Sequence, residues 1–449
     1  MFSGRKSNFH PPNMVTICLS VIGILLIVPH TIIGDDGLTL IQAFKIVEDR
    51  NLSLQQQKLL VQQAEAEISI QQTGYYPSLS VSGLSTWAFF NKPPVNMPGE
   101  TDRVSISILS LGIDQPIFRG FRTENSINMA ESRFDSQKMS NQTVQNRLLL
   151  QTGLLYYDLQ LNLLSQDVLH QSLSRARNQL EKTRNLLDAD QVAWFDTLEV
   201  ANRMLEIATS LNELEGYFAI LKDKLAHLLN VSELPEITLQ PANPPAVQTE
   251  DLKYLKQLAL LNRAELKHIK VRRDMQGYQI EMIKASYYPV ISASGGFNYG
   301  HMDGFFFTGE WVDFYNVMIN FQWDLWNWKR DKNKVQQSRL EYQRLDLEEQ
   351  QLLLDINNEI KEAYEQHKII LRQIEMQNRL YAQEKDRYEI THERFQQGLT
   401  TALDLSSAEH ALTSAQLQLQ KSYVDWYKNN LQMQYATGQI GNLTQEVDK

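Results

Sequence analysis

One stretch that occurs twice constrains the fold of this chain more than any other feature. The first copy, at residues 72–83, reads QTGYYPSLSVSG, and the second, at 284–295, reads KASYYPVISASG. Proline lacks the backbone donor that a helix interior needs and disfavours helical dihedrals in the residue before it, so a helix must end at each Tyr-Tyr-Pro. The same change of structure therefore occurs once in each half, which indicates an internally duplicated fold.

Alternating side chains after each copy predict β-strands, because successive side chains of a strand point to opposite faces. We predict one β-hairpin at 78–114 and another at 290–326. In the second strand of the first hairpin the apolar positions change phase, which predicts a β-bulge near Ile108. The alternating apolar residues are Leu79, Val81, Trp87, Phe89, Ile291, Ala293, Phe297, Tyr299, Tyr315, Val317, Ile319, Phe321, Trp323 and Leu325.

Apolar residues that recur every seven positions predict long coiled-coil helices. One helical hairpin is predicted at 117–230, with its tip at 188–196, and a second at 330–437, with its tip at 398–401. The recurring residues are Ile127, Phe134, Leu148, Leu155, Leu169 and Ala176 in the first half, and Leu353, Ile360, Ile374, Tyr381, Tyr388, Phe395, Leu405, Leu412, Leu419, Trp426 and Met433 in the second.

Shorter helical segments precede each Tyr-Tyr-Pro. Residues 38–73 are predicted to form a helix that is interrupted at 49–51, and residues 251–285 an unbroken helix. In the returning helix of the first hairpin, the spacing predicts a buried seam of Leu198, Ala201, Leu205 and Ala208.

The apolar run at 15–28 is too short to span a bilayer comfortably, which takes about 20 residues. It fits the central region of a secretory signal and contains Cys18, the only cysteine. No later apolar stretch has the length of a membrane helix, so the mature chain either is soluble or meets a membrane as β-strands. The predicted segments are a signal peptide at 1–34, a first repeat at 35–233, a proline-rich linker at 234–250, a second repeat at 251–440 and a C-terminal tail at 441–449.

Composition and motifs exclude several classes of function. The chain has a net charge of −10 and no block of basic residues, which argues against nucleic acid as a partner. Metalloprotease, phosphate-loop, Cys-x-x-Cys and Gly-x-Ser-x-Gly motifs are absent from the sequence. We therefore expect neither an enzyme nor a bound cofactor or metal. His367 on the seven-residue seam is interpreted as a polar layer of the coiled coil.

Four amphipathic strands per chain are too few to close a membrane barrel, whose smallest versions have about eight. Strands with open edges and apolar faces aggregate unless copies combine, so the chain must oligomerise. In a barrel the apolar faces would point to lipid and the serine and asparagine faces to a wet lumen. The predicted fold class is mainly α with a β-barrel. The alternative is a periplasmic coiled-coil adaptor or scaffold, anchored by residues 15–28.

At this level of detail the sequence resembles the TolC family of bacterial outer-membrane efflux and secretion channels. The resemblance rests on the two Tyr-Tyr-Pro strand starts, on QPIFRG at 115–120, and on FQQG at 395–398 followed by LDL at 403–405. It implies a homotrimer in which the strands complete a twelve-stranded barrel and the helical hairpins form an α-barrel tunnel. It also implies a location in the outer membrane of a Gram-negative bacterium, and a periplasmic adaptor and an inner-membrane pump as partners.

The resemblance also implies functional positions. Asp404 matches an acidic residue of the periplasmic pore entrance, and Ser407 stands where the family has a second acid. Asp196 matches the tip of the first half, although aligning Ala201 with Ala408 shifts it by one place. The alternative for both aspartates is helix capping. The expected adaptor-contact residues are Val192, Ala193, Gly398, Leu399, Thr400 and Thr401, and those of the helix-to-barrel junction are Tyr75, Tyr76, Pro77, Tyr287, Tyr288 and Pro289.

Overall fold

The computed structural model describes residues 37–89, 103–237, 251–304 and 307–444. The first half contains α1 (Leu40–Arg50), α2 (Leu52–Gln72), β1 (Ser78–Phe89), β2 (Arg103–Phe118), α3 (Arg122–Asp188) and α4 (Trp194–Leu229). The second half contains α5 (Leu252–Asn262), α6 (Ala264–Lys284), β3 (Val290–Gly304), β4 (Phe307–Gln322), α7 (Arg330–Gln396) and α8 (Ala402–Ala436). Short 3₁₀ turns lie at Thr73–Tyr75, Ala285–Tyr287 and Ile440–Thr444.

The two halves are built from matching elements. Helices α1 and α5 have 11 residues each, α2 and α6 have 21 each, and α3 and α7 have 67 each. A 3₁₀ turn ends the second helix of each half at the Tyr-Tyr-Pro. The predicted duplication is therefore confirmed, and each helix and strand of one half has a counterpart in the other.

The four strands form one antiparallel sheet in the order β1-β2-β3-β4. The pairing of β1 with β2 keeps one register throughout, so the bulge predicted near Ile108 is wrong. Ile108 lies opposite Leu84, and the apolar residues simply change faces along an unbroken strand. The register of β2 with β3 shifts instead between Pro116 and Phe118, where β2 leaves the sheet.

Each of the four strands places apolar residues on the same face of the sheet, although some others, such as Ile108 and Phe314, lie on the opposite face. Cross-strand partners project on the same side, and the registers pair Leu111 with both Val81 and Phe297, and Phe297 with Tyr315. This apolar sheet face consists of Leu79, Val81, Leu109, Leu111, Ile113, Phe297, Tyr299, Tyr315, Val317, Ile319 and Phe321. All of these residues except the half-buried Phe297 are exposed in the single chain.

The opposite, polar face is held together by side-chain hydrogen bonds. Ser110 Oγ donates to Asn298 Oδ1 at 2.7 Å, and Asn298 Nδ2 donates to Asn316 Oδ1 at 2.9 Å, so the bonds cross three strands. The last strand ends at Gln322, short of the predicted limit at residue 326. Trp323 therefore lies outside the strand, where its indole Nε1 donates to the Tyr287 carbonyl oxygen at 3.1 Å.

The helical hairpins α3–α4 and α7–α8 pack as coiled coils, as the seven-residue repeats predict. None of the described helices is both long enough and apolar enough to cross a membrane. His367 is a buried polar layer, because its Nδ1 lies 3.1 Å from Asn429 Oδ1. Buried members of the predicted series include Leu148, Leu169, Ala176, Ile360, Ile374, Phe395, Leu405, Leu412 and Leu419.

The seam predicted for α4 is only partly correct. Leu198 and Leu205 are exposed, and the buried apolar residues between 194 and 211 are Val200, Ile207 and Leu211. The four predicted residues repeat every three or four positions, as a buried stripe would, but so do the residues that are buried. The pattern alone could not decide which of the two stripes faces α3.

The helix predicted to run unbroken over 251–285 is interrupted at Arg263, between α5 and α6. Arg263 is the counterpart of Asn51, which interrupts the first half as predicted. Asn51 Nδ2 donates to the Leu228 carbonyl oxygen at 2.8 Å, and Arg263 Nη1 donates to the Ala436 carbonyl oxygen at 3.3 Å. Each break thus supplies a donor to the last turn of α4 or α8, where carbonyl groups lack helical partners.

The middle of the molecule has a tightly packed aromatic core beside α1. Phe44, Leu149, Tyr156 and Leu431 are buried there together, and burial raises the pKa of the Tyr156 hydroxyl to about 12. Gly153 of α3 has no room for a side chain. A Cβ atom there would overlap Leu431 Cδ1 and lie 3.2 Å from Phe44 Cζ.

Gly153→Leu should therefore destabilise the protein, because the added side chain would have to displace a packed core. We expect the free energy of unfolding to fall by about 1–3 kcal/mol. Gly216→Leu is the matched control, since no atom lies within 4 Å of a Cβ at that helix position. Thermal unfolding followed by circular dichroism compares the two variants, and equal midpoints would contradict the packing argument.

Candidate functional site

The two hairpins end in tips of the same design, formed by residues 189–193 (the first tip) and 397–401 (the second tip). In each tip one residue has a left-handed backbone, Asp190 with φ 56° and Gly398 with φ 70°. The next residue then donates its N–H back to the helix, from Gln191 to Leu186 O at 2.8 Å and from Leu399 to Arg394 O at 2.9 Å. Gly398 is needed for its backbone angle alone, because a Cβ there would meet no atom within 4 Å.

Asp404 caps the helix that follows the second tip. Thr401 Oγ1 accepts from the Asp404 N–H at 3.1 Å, and Asp404 Oδ2 accepts from the Thr401 N–H at 3.2 Å, which is a reciprocal capping box. The hydroxyls of Thr400 and Thr401 also donate to Oδ2, at 2.9 and 2.7 Å. The capping alternative is therefore realised in the structure.

Asp196 is the counterpart of Asp404. It is the third residue of α4, as Asp404 is the third residue of α8, and its Oδ2 accepts from the Ala193 N–H at 3.0 Å. The one-place shift suggested by aligning Ala201 with Ala408 is thus wrong. Ala193 has no hydroxyl, so the first tip carries only half of the capping box.

The environment of Asp404 keeps its side chain charged. Hydrogen bonds from Thr401 and then from Thr400 lower the pKa of the Asp404 carboxyl below its ordinary value. Asp404 and Ser407 are both exposed, and residues three apart lie on one face of a helix. The exposed side of α8 near its start therefore presents a carboxylate followed by a hydroxyl.

Large apolar side chains are exposed around the tips. Trp194 and Phe195 are 64% and 66% exposed, and Leu399 and Leu403 are also exposed. Sequence reasoning singled out Leu399 but missed Trp194 and Phe195, although two adjacent aromatic residues at the start of a helix were a visible signal. Between the tips lies a cleft of about 570 Å³ whose lining includes Lys182, Leu186, Val192, Phe395 and Thr400.

Behind the tips, a buried carboxylate links the two hairpins. Glu409 of α8 is 1% exposed, and its Oε1 accepts from Ser172 Oγ at 2.5 Å and from Arg175 Nη2 at 3.1 Å, both on α3. Arg203 Nε of α4 lies 3.5 Å from Glu409 Oε2. Thr413 Oγ1 donates to Glu409 Oε1 at 2.8 Å. Sequence reasoning missed this group because its members come from distant parts of the chain.

At the other end of the helices, the Tyr-Tyr-Pro segments join them to the sheet. Gln115 Nε2 donates to the Tyr75 carbonyl oxygen at 3.1 Å, as Trp323 does to Tyr287 in the second half. Pro77 and Pro289 each immediately precede a strand. The second tyrosines differ in their surroundings, since Tyr288 contacts two phenylalanine rings of the first half and Tyr76 is 62% exposed.

Over residues 37–89, 103–237, 251–304 and 307–444, no group of three or more His, Cys, Asp or Glu side chains could hold a metal ion. The notable chemistry of the described part is therefore acidic and apolar surface at the tips, and amphipathic surface on the sheet.

Several solved outer membrane channels have a fold similar to that of this chain. The Campylobacter jejuni outer membrane channel CmeC is 16% identical, with a TM-score of 0.78 over 92% of this chain and 89% of that one. The channel protein CusC is 17% identical, with a TM-score of 0.76 over 89% of this chain and 92% of its own. The open state of the Neisseria gonorrhoeae channel MtrE is 14% identical, with a TM-score of 0.74 over 89% and 88%.

At identities this low, the structural similarity shows that the fold is shared and no more. The family is shown by a match at the level of sequence. No curated protein sequence matches the chain. The profile of the outer membrane efflux protein family, however, matches residues 45–230 and 255–439, which cover both repeats. The resemblance to TolC and the predicted location in the outer membrane are confirmed, and the adaptor alternative is not supported. The chain belongs to the outer membrane efflux protein family.

Proposed function

We propose that this protein is the passive exit duct of a tripartite efflux or type I secretion system. Three copies would form a channel through the outer membrane, and a periplasmic adaptor and an inner-membrane pump would supply substrate and energy. The observation that carries the proposal is the sheet. All four strands contribute apolar residues to one largely exposed face, and the four-stranded sheet has two edges, on β1 and β4, that pair with no described strand.

Membrane immersion would account for the exposed apolar sheet face. Water penalises that much exposed apolar area, whereas lipid does not. Backbone groups at the two edges need partners in lipid, and other copies of the same sheet can supply them by closing a ring. The polar face, with Ser110, Asn298 and Asn316, would then line a wet lumen. Such a lumen discriminates little between solutes, so selection would belong to the pump.

The tips are the proposed contact with the adaptor. The expected contact residues are Val192, Ala193, Gly398, Leu399, Thr400 and Thr401. The exposed side chains of Trp194, Phe195 and Leu403 support an extension of this surface, because exposed aromatic and aliphatic groups are the usual anchors of protein interfaces. A helical hairpin from an adaptor could insert apolar residues between them.

The entrance of the duct is proposed to lie at the same tips. In a trimer, Asp404 and Asp196 would each occur three times near the axis, and a ring of carboxylates attracts cations. Ser407 would replace a second ring of charge by hydroxyls. Capping and an entrance role are compatible, because the capping bonds use one carboxylate oxygen of Asp404 and leave its charge in place.

The test of the proposed function is purification from detergent-extracted outer membranes followed by measurement in a planar bilayer. A trimer that conducts ions would support the proposal. A soluble monomer without β-structure, or a trimer that never conducts, would contradict it.

Asp404→Asn should lower the cation selectivity of the pore, because it removes charge from the entrance while an amide oxygen can still cap the helix. We expect the ratio of cation to anion permeability to fall several-fold, as measured from the reversal potential in a salt gradient. Asp386→Asn is the control, since Asp386 is exposed on α7 and lies about 15 Å along the helix from its end at the second tip. Equal selectivity in both variants would leave Asp404 with the capping role alone.

The pH dependence of selectivity follows from the lowered pKa of Asp404. A carboxyl with a depressed pKa stays charged until the pH falls below the ordinary aspartate value of about 3.9. Its contribution to stability through capping is lost as the pH falls from that value through the lowered pKa of the folded protein. Cation selectivity that depends on Asp404 should therefore be constant between about pH 7 and pH 5. Reversal potentials across a pH series check this, and a midpoint near neutrality would assign selectivity to another group.

Removal of Glu409 should loosen the packing of the two hairpins behind the tips. Glu409→Ala would leave Arg175 and Arg203 without their buried counter-charge, which costs on the order of 2 kcal/mol because both arginines are partly exposed. We expect faster amide hydrogen exchange at the tip ends of α3 and α8. Glu206→Ala is the control, because that exposed side chain pairs only with Arg203. Equal exchange in the two variants would show that the buried carboxylate contributes no rigidity.

A further inference from the structure

Where the helices join the sheet, residues of the two halves of the chain pack against each other. Within one chain, the exit of β2 meets the start of β3. Tyr288 packs edge-on against Phe118 and Phe121, with ring centroids 6.4 and 5.9 Å apart. Gly120, with φ 62°, makes this approach possible, because a Cβ there would lie 2.6 Å from the Ala285 carbonyl oxygen and 2.9 Å from Tyr288 Cβ.

The exit of β4 repeats this arrangement with different residues. Phe121 and Lys329 are counterparts, since both have a left-handed backbone, with φ 66° and 65°, immediately before α3 and α7. Gly120 therefore corresponds to Trp328, whose φ is 53°, and Phe118 corresponds to Trp326. The glycine that permits close approach in the first half is thus replaced by the largest side chain.

Among the described residues, Trp326 and Trp328 form no ring contact with a tyrosine, unlike Phe118 and Phe121. Trp328 is 84% exposed and Trp326 is 73% exposed, and the two rings lie edge to face with their centroids 5.7 Å apart. The counterpart of Tyr288 is Tyr76, which follows the first 3₁₀ turn with nearly the same backbone angles and is also exposed. The chain thus carries the two sides of a second junction, with Tyr76 beside the β1 edge of its sheet and Trp326 and Trp328 beside the β4 edge.

We propose that Tyr76 of one copy of the chain docks against Trp326, Trp328 and Lys329 of another. The sheet order supports this, because pairing β4 with β1 of a second copy would bring these residues together as the pairing of β2 with β3 brings Tyr288 to Phe118. This inference rests on the proposed trimeric channel and adds the residues that join its chains.

The junction between chains cannot be a copy of the junction within one chain. An indole at the position of Gly120 would overlap the backbone of the facing turn, so the two backbones must stand further apart and the indole must fill the gap. The ammonium of Lys329, in place of the Phe121 ring, would face Tyr76 and form a cation–π contact. The junction within one chain and the junction between chains therefore differ in their side chains, although the duplicated fold makes their backbones equivalent.

Cysteine pairs test the inference in the full-length protein, in intact outer membranes. In a Cys18→Ser background, Tyr76→Cys and Trp328→Cys are combined and treated with a short bismaleimide, which tolerates a wider gap than a disulfide, whose Cβ atoms must lie about 3.5–4.5 Å apart. Denaturing electrophoresis should show covalent dimers and trimers as the main product. The matched pair Phe121→Cys and Tyr288→Cys, which are in contact within one chain, should give only cross-linked monomers.

The outcomes separate this inference from the proposed function. One possible outcome is that native mass spectrometry shows a non-covalent trimer and the matched pair reacts, but Tyr76→Cys and Trp328→Cys do not link the chains. That outcome would place the indoles against lipid and would overturn the inference alone. Absence of a trimer before any cross-linking would overturn the proposed function as well. Trp328→Ala, which removes the indole proposed to fill the gap, should also lower the fraction of detergent-resistant trimer, and an unchanged fraction would count against the inference.

Discussion

Backbone hydrogen bonding at the edges of the sheet is the constraint on which the rest of the structure depends. Of the four described strands, only β2 and β3 are paired on both sides. An edge beside an exposed apolar face promotes uncontrolled association unless defined partners cover it. Here the same chain supplies two edges, and the helices hold them in a fixed relation. The chain is therefore best understood as one part of a repeating assembly rather than as a finished domain.

The duplication explains why the two ends of the molecule divide their roles. Near the sheet, each half supplies a strand pair entered through a Tyr-Tyr-Pro segment and secured by a side-chain donor, from Gln115 or Trp323, to a tyrosine carbonyl. At the tips, each half supplies a left-handed turn and an aspartate at the third helical position. The halves differ where contacts with other molecules are proposed, at the tips and at the second tyrosines.

Much of the fold could be predicted because its signals are local. The prolines predicted where helices end, the alternation of apolar and polar residues predicted the strands, and apolar residues at every seventh position predicted the helical hairpins. The failures share one cause, which is dependence on distant partners. Arg263 interrupts a helix by binding the end of α8, and no proline or glycine marks the break. Glu409 resembles a surface residue in sequence, and only Ser172 and Arg175 of a distant helix reveal that it is buried.

Helices α3 and α7 have the same length, 67 residues, and this equality limits how such a protein can evolve. Both helices start beside the sheet and end at a tip, so the two tips of a chain end at similar depth. Insertion of a single helical turn into one of them would move its tip by about 5 Å relative to the other. A partner that engages both tips would then lose half of its contacts. With such a partner, a change in the length of the duct would preserve both contacts only if the two halves lengthened or shortened together.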